Sequence, residues 1–455
     1  MKQNIHETVF YHIYPLGMCG APERNDFRSP AGTGIRRLIG EIDRIRSLGA
    51  NAIYIGPLFE STAHGYDTVD YRHVDRRLGT NADLADFVRA CHEKGVSVVL
   101  DAVFNHTGRD FFAFKDVQQN GEASRYRGWY KNLRFGCRSC FGDPFDYEGW
   151  AGCKDLAKLD VDDGEVRGYL LETARQWIRE FGIDGLRLDA ADVLSPGFMD
   201  ALAAACRTEK DGFWLLGEVV RGDYNNWARP GRLDSVTNYE LYKGLWSSFN
   251  SANFFEAAYS LNRQFGDGGL YRSAPLYTFL DNHDVDRIAS TVSDARHLVP
   301  LYGLLFTVPG IPSIYYGSEF ALRGRRNSHG DRELRPAIPP FADSVPDFAR
   351  PEADSGAVQD AVRRFADIRS RHPALRRGSY RQLSVAHRQF AFTREVSENG
   401  WSEAVCVAVN SDSAPARIRL DGVSGRFRDE LTGAVFGLPG QVEIPADGIL
   451  ILAAC

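Results

Sequence analysis

The segment "GLRLDAA" (185–191) runs apolar into Asp189, and three others are built the same way: "VVLDAVFNH" (98–106), "FWLLGEV" (213–219) and "TFLDNHD" (278–284). Runs of four to six apolar residues suit strands covered on both faces. An acid at the tip of such a strand stays ionised at small cost only in a polar cleft above the core. Asp189, Glu218 and Asp284 therefore point to one shared site.

The spacing fits a TIM (β/α)8 barrel, which spends roughly 31 residues per strand-helix unit. Glu218 follows Asp189 by 29 residues, one unit, and Asp284 follows Glu218 by 66, two units with one strand between. Asp189 trails Asp101 by 88 residues, about 57 too many for one unit. An inserted subdomain is expected over about 107–164.

Outward from these strands, "TVFYHIYPL" reads as strand 1, and "GIRRLIGEIDRIRSLGA" as one helix with Leu38, Ile42, Ile45 and Leu48 on its buried face. "NAIYIGPLF" is strand 2. "NADLADFVRACHEKG" is a helix capped by Asn81 and ended by Gly95, followed by strand 3 in "VSVVLDAVF". Strand 6 is expected in "DSVTNY" (234–239), strand 8 in "IPSIYYG", and a closing helix in "AVQDAVRRFADIRSRHPAL". From about 378 the texture changes to alternating strands divided by Gly, Asn and Asp turns, which predicts an antiparallel β domain. The expected division is a barrel over 1–106 and 165–377, an insert over 107–164 and a β-sandwich over 378–455.

With 455 residues, 44% of them hydrophobic and 12% aromatic, the chain can fill sizeable cores. A net charge of −6 without long runs of one sign gives no surface for nucleic acid or an anionic membrane. No stretch of eighteen apolar residues is present, so no spanning helix is expected. The amino-terminal "MKQNIHETVFYHIYPLGM" has neither a basic leader nor an apolar cleavage region, which predicts a cytoplasmic protein with mostly reduced cysteines. Cys137, Cys140 and Cys153 have partial zinc spacing, with Cys19 as a fourth candidate; free thiols are the favoured reading, and no metal is assigned.

Taken together, the motifs resemble the α-amylase family, glycoside hydrolase family 13. "DAVFNH", "GLRLDAA", "GEV" and "FLDNHD" are similar to its four conserved regions, in order and spacing. The resemblance implies a barrel, an inserted domain B after strand 3 and a carboxy-terminal β-sandwich. It also implies Asp189 as nucleophile, Glu218 as general acid/base and Asp284 as the acid that stabilises the transition state. Arg187, His283 and His106 would contact the reacting sugar and the carboxylates. "HGYDTVDY" (64–71) is similar to the family's strand-2 loop, where Tyr66 would stack under that sugar. Asp331 and Arg335 of "HGDRELRP" stand where relatives bind the next sugar; the alternative is a surface ion pair. Asp101 is assigned to orienting Arg187. Asn105 is a calcium ligand in many members, but "AADV" replaces the Lys-His that often follows the second region, so no cofactor is required by the comparison.

The chemistry asks for these residue types. Retaining cleavage of an acetal uses a carboxylate nucleophile and a protonated carboxyl about 5–5.5 Å away. Arg187 lies on the same side of its strand as Asp189 and would hold it ionised, whereas Glu218, flanked by Leu216 and Val219 with no adjacent base, suits the neutral acid. "LAKLD" (156–160) and "HGYDTVDY" are nearest the forms found in neopullulanases and cyclomaltodextrinases, and Ala190 leans towards α-1,4 bonds. The expected activity is hydrolysis of α-1,4 bonds in malto-oligosaccharides, cyclodextrins or related short α-glucans. A 4-α-glucanotransferase shares that chemistry, and a non-catalytic amylase-like binding subunit is the alternative of another class. Those relatives carry an amino-terminal β domain that builds their dimer, so the state of assembly is left open.

Overall fold

The computed structural model describes residues 5–328, 330–398 and 400–455; Met1–Asn4 of the amino-terminal stretch, His329 of "HGDRELRP" and Asn399 lie outside the described residues. Eight short parallel strands form the barrel: β1 (Phe10–Ile13), β2 (Ala52–Ile55), β3 (Ser97–Ala102), β4 (Gly185–Leu188), β5 (Trp214–Gly217), β6 (Ser235–Val236), β7 (Tyr277–Phe279) and β8 (Ile311–Tyr315). Their hydrogen-bonded order is β6-β5-β4-β3-β2-β1-β8-β7. A single parallel bridge, Thr237 with Tyr277, joins the two ends, and Asn238 N donates to Tyr277 O at 2.8 Å. β6 has only two residues, which is why "DSVTNY" carries so weak a strand pattern.

Two local expectations need correction. The helix Asn81–Glu93 is capped by Thr80, whose hydroxyl accepts from Asp83 N while Asp83 answers the Thr80 N–H in a reciprocal capping box; Asn81 instead accepts from Val74 N at 2.9 Å. The helix expected over 34–50 is broken by a tighter turn at Ile39–Glu41, around Gly40, although Leu38, Ile42, Ile45 and Leu48 are all buried as the pattern required.

Between β3 and β4, residues His106–Gly108, Gly149–Trp150 and Cys153–Lys158 form a small antiparallel sheet above the barrel. Phe114 packs edge-on against Tyr130, Phe145 and Tyr147 as the core of this insert, while Phe112, Phe141 and Trp150 are exposed. Cys137, Cys140 and Cys153 are exposed free thiols, and Cys19 sits apart, pressed against Gly34. Among the described residues, no three His, Cys, Asp or Glu side chains gather into a metal-holding group.

The carboxy-terminal strands are β9 (Ser379–Val385), β10 (Gln389–Glu398), β11 (Trp401–Asn410), β12 (Ala416–Asp429), β13 (Val435–Ile444) and β14 (Gly448–Ala454). They form one antiparallel sheet, ordered β9-β10-β11-β14-β12-β13. Alternate residues divide its two faces. Phe390, Phe392, Val407 and Ile451 join the barrel core, whereas Ala391, Cys406, Leu450 and Leu452 pack on Leu420, Val442 and Ile444 of β12 and β13. The two layers of the expected sandwich thus come from one continuous sheet folded over, helped by a register shift between Leu420 and Gly425.

Candidate active site

β3, β4, β5 and β7 deliver their terminal side chains to one end of the barrel, where sites of this fold are built. Parallel register sets Arg187 of β4 directly beside Asp101 of β3. Arg187 Nη1 donates to Asp101 Oδ1 at 2.8 Å and to Asp189 Oδ1 at 2.9 Å; its Nη2 lies 2.9 Å from Glu218 Oε2. One planar guanidinium therefore spans the two carboxyls, which caps the separation of the two bonded oxygens at about 8 Å. This corrects the expectation that Glu218 has no basic neighbour. Glu218 also accepts from Ala190 N at 3.0 Å. Ala190 adopts the left-handed conformation, φ 47° and ψ 43°, costing a non-glycine residue about 1–2 kcal/mol and turning its N–H toward Glu218.

Asp284 is held from two sides. His283 Nε2 lies 3.0 Å from Asp284 Oδ2, and Arg335 Nη2 donates to Asp284 Oδ1 at 3.0 Å. Arg335 also donates to His283 O and stacks over the Tyr14 ring at 4.6 Å. Asp331 accepts from the same Nη2 at 3.2 Å. The pair anticipated near a further sugar is thus joined directly to the third carboxyl, and neither a purely surface ion pair nor an isolated outer contact describes Arg335.

Tyr66 ties the two halves together. Its hydroxyl donates to Asp101 Oδ2 at 3.2 Å and meets His283 Nε2, while its ring stacks on the His283 ring with centroids 5.5 Å apart. Gly65 before it has φ 86°, and a Cβ there would come within 2.7 Å of Pro57 Cγ. Glycine suits this turn, where any side chain would be strained. His106 is buried, its Nε2 4.0 Å from Asp189 Oδ2 and its ring 5.7 Å from exposed Trp150. Asn105 turns its Nδ2 to His106 Nδ1 at 3.2 Å.

Burial is the largest influence on these charges. It pushes the carboxyls of Asp189 and Glu218 up; Arg187 opposes it, and mutual repulsion between carboxylates reinforces it. Asp284 ends well below the ordinary carboxylate range, because His283 and Arg335 outweigh its desolvation. Burial pushes the His106 imidazole down to about 3 and that of His12 well below its usual value. Asp189 and Glu218 thus share one cation and compete for a proton, while Asp284 is firmly ionised.

Several partners escaped the sequence reading. Tyr54 donates to Asp101 at 2.8 Å, His12 stacks on Tyr54 and meets His283 edge-on, and Asn282 accepts from Asp284 N at 2.8 Å. Tyr14, Tyr54 and His12 lie in or next to strands already recognised, and the inward alternation of those strands was the signal available.

Comparison with known proteins identifies the family. Residues 26–380 match the model of the alpha-amylase catalytic domain. A cyclomaltodextrinase of Bacillus sp is 31% identical over 94% of this chain and 76% of its own length. Among solved structures, the cyclic α-maltosyl-(1→6)-maltose hydrolase of Arthrobacter globiformis, in complex with that cyclic sugar, superposes with a TM-score of 0.81 at 26% identity, covering 99% of each chain. The debranching enzyme of Nostoc punctiforme gives 0.81 at 27% identity, covering 99% of this chain and 98% of its own. The chain belongs to the alpha-amylase family of retaining glycoside hydrolases.

Proposed function

We propose that the protein hydrolyses α-1,4 bonds of short malto-oligosaccharides and cyclodextrins by double displacement. Asp189 attacks the anomeric carbon, Glu218 protonates the departing glycosidic oxygen and later deprotonates the incoming water, and Asp284 stabilises the oxocarbenium-like transition state. The observation that carries this is the single guanidinium of Arg187, 2.9 Å from both Asp189 and Glu218. It draws two carboxyls around one cation with unequal partners, which supports a pair of unlike roles. Asp189 shares its bonding nitrogen with Asp101, whereas Glu218 leans on a lone Nη2 and one backbone N–H. Tyr66 forms the stacking floor, and His106, His283, Asp331 and Arg335 form the polar wall against which sugar hydroxyls are held. No step draws on a metal or cofactor, since acetal cleavage needs a proton donor and a carboxylate. Eight free cysteines support a reducing, cytoplasmic setting.

Incubation with maltotriose tests the reading. Hydrolysis yields only glucose and maltose, and Asp189→Asn abolishes turnover. Products longer than the substrate would reassign the protein as a glucanotransferase; an inert wild type on every α-glucoside would make it a binding subunit.

A further inference from the structure

Asp284 and His283 sit on the loop between β7 and the short helix Ile288–Thr291, and this loop is closed at its base by three side chains outside the cleft. Asp281 Oδ2 accepts from Ile288 N at 2.8 Å, which pins the far end of the loop to its start. The same oxygen accepts from Ser318 Oγ at 2.7 Å. Arg287, fully buried, donates through Nη1 to Tyr316 O at 2.9 Å and to Ser318 Oγ at 3.3 Å. Its guanidinium lies over the rings of Tyr315 and Tyr316, 4.6 and 5.1 Å from their centroids. The Ser318 hydroxyl thus joins the loop carrying the third acid to the end of β8.

We propose that Asp281, Ser318 and Arg287 form a clasp that positions Asp284 and His283 for the reaction, and that this clasp sets kcat while leaving substrate binding nearly unchanged. The geometry favours this over general support of the fold. The clasp sits behind the cleft, with Arg287 over the Tyr315 ring that packs on His12 at 4.9 Å, and it ties the two ends of a loop whose outer edge also docks on residues 324–326, through Arg287 N to Gly324 O and Arg326 N to Asp286 Oδ1. Inside the cleft, the Asp284 carboxylate is held by Arg335 and the His283 ring by Tyr66, with Tyr14 stacked on that ring and His12 edge-on to it; all four stand on other segments of the chain. If the base slackens, the carboxylate loses its aim in the transition state, while sugars held by the other walls bind as before.

The inference rests on Asp284 being the transition-state acid, and the experiment separates the two. In maltotriose kinetics, Ser318→Ala and Asp281→Asn are each expected to lower kcat at least tenfold with KM within twofold of wild type. Arg287→Lys, which keeps the charge but loses the fork, is expected to fall between them and wild type. Asp284→Asn serves as the reference: if it retains activity, the assignment of the third acid fails. If Asp284→Asn is inactive while Ser318→Ala and Asp281→Asn keep kcat within twofold, the clasp is overturned whatever their unfolding temperatures. Should Ser318→Ala fail to fold, Asp281→Asn, which retains an acceptor oxygen for Ile288 N, decides alone.

Discussion

Replacing Asp101 by Asn removes one negative charge at the base of the site and almost no volume. The Asp101 carboxylate receives Arg187 Nη1 at 2.8 and 3.0 Å, Tyr54 at 2.8 Å and Tyr66 at 3.2 Å. An asparagine can turn its oxygen to Arg187 and its amide to the hydroxyls, so the packing survives. What is lost is a charge-assisted bond to a buried guanidinium, about 1.5–3 kcal/mol, which at about 1.4 kcal/mol per decade predicts a 10- to 100-fold fall in kcat/KM. The pH profile moves in a definite direction. Asp101 raises the proton affinity of Asp189 and draws off part of the Arg187 field; without it, that field falls undivided on Asp189 and Glu218. Both carboxyls then release their protons more readily. Because the general acid works only while protonated, the alkaline limb of kcat/KM should shift to lower pH. Release of glucose from maltotriose, followed across pH, provides the assay. An unmoved or upward-moving alkaline limb with wild-type kcat/KM would refute the charge-sharing argument.

Two further outcomes follow from the same charges and from the interdomain contact. Burial and neighbouring carboxylates raise Asp189, and the nucleophile must be ionised, so kcat/KM should begin to fall with acid above the ordinary aspartate value of about 3.9; a profile flat down to that value would contradict it. Arg394→Met should lower stability by about 2–4 kcal/mol, because Thr307, Leu375 and Gly378 carbonyls lose a charged donor, while kcat is unchanged; chemical denaturation followed by fluorescence measures the first and maltotriose turnover the second.

The barrel and its three acids were legible because both signals are local. An apolar run followed by an acid marks a strand tip, and repeated spacing counts the units between tips. What could not be read was register and reach. Nothing in "GLRLDAA" tells that Arg187 lands beside Asp101 and extends its second nitrogen to Glu218, since that depends on how β3, β4 and β5 align. Arg335 bonds Asp284 across 51 residues of chain, from a loop without periodic pattern. The Thr80 cap was missed for a smaller reason: Asn81 is an equally good capping residue one position on, and only the reciprocal bonds with Asp83 separate them. The single folded-over sheet of the carboxy-terminal domain depends on a register shift inside β12, which alternation alone does not reveal.

The charges of the cleft explain why this arrangement favours an oxocarbenium-like state. Asp101, Asp189, Glu218 and Asp284 face the guanidinia of Arg187 and Arg335 and the His283 imidazole, while His12 and His106, held neutral by burial, add no charge. Four carboxyls against two guanidinia and one imidazole leave an excess of negative charge in a poorly solvated space, a costly state that one proton relieves. Asp284, with His283 and Arg335 against it, is the poorest site for that proton, and Asp101 and Asp189 share the same Arg187 nitrogen. Asp189 and Glu218 compete for it, and the double displacement proposed above requires Glu218 to hold the proton until a glycosidic oxygen takes it. Once it is given up, the excess negative charge returns at the moment the anomeric carbon turns positive, so the electrostatic penalty of the resting site becomes stabilisation of the transition state.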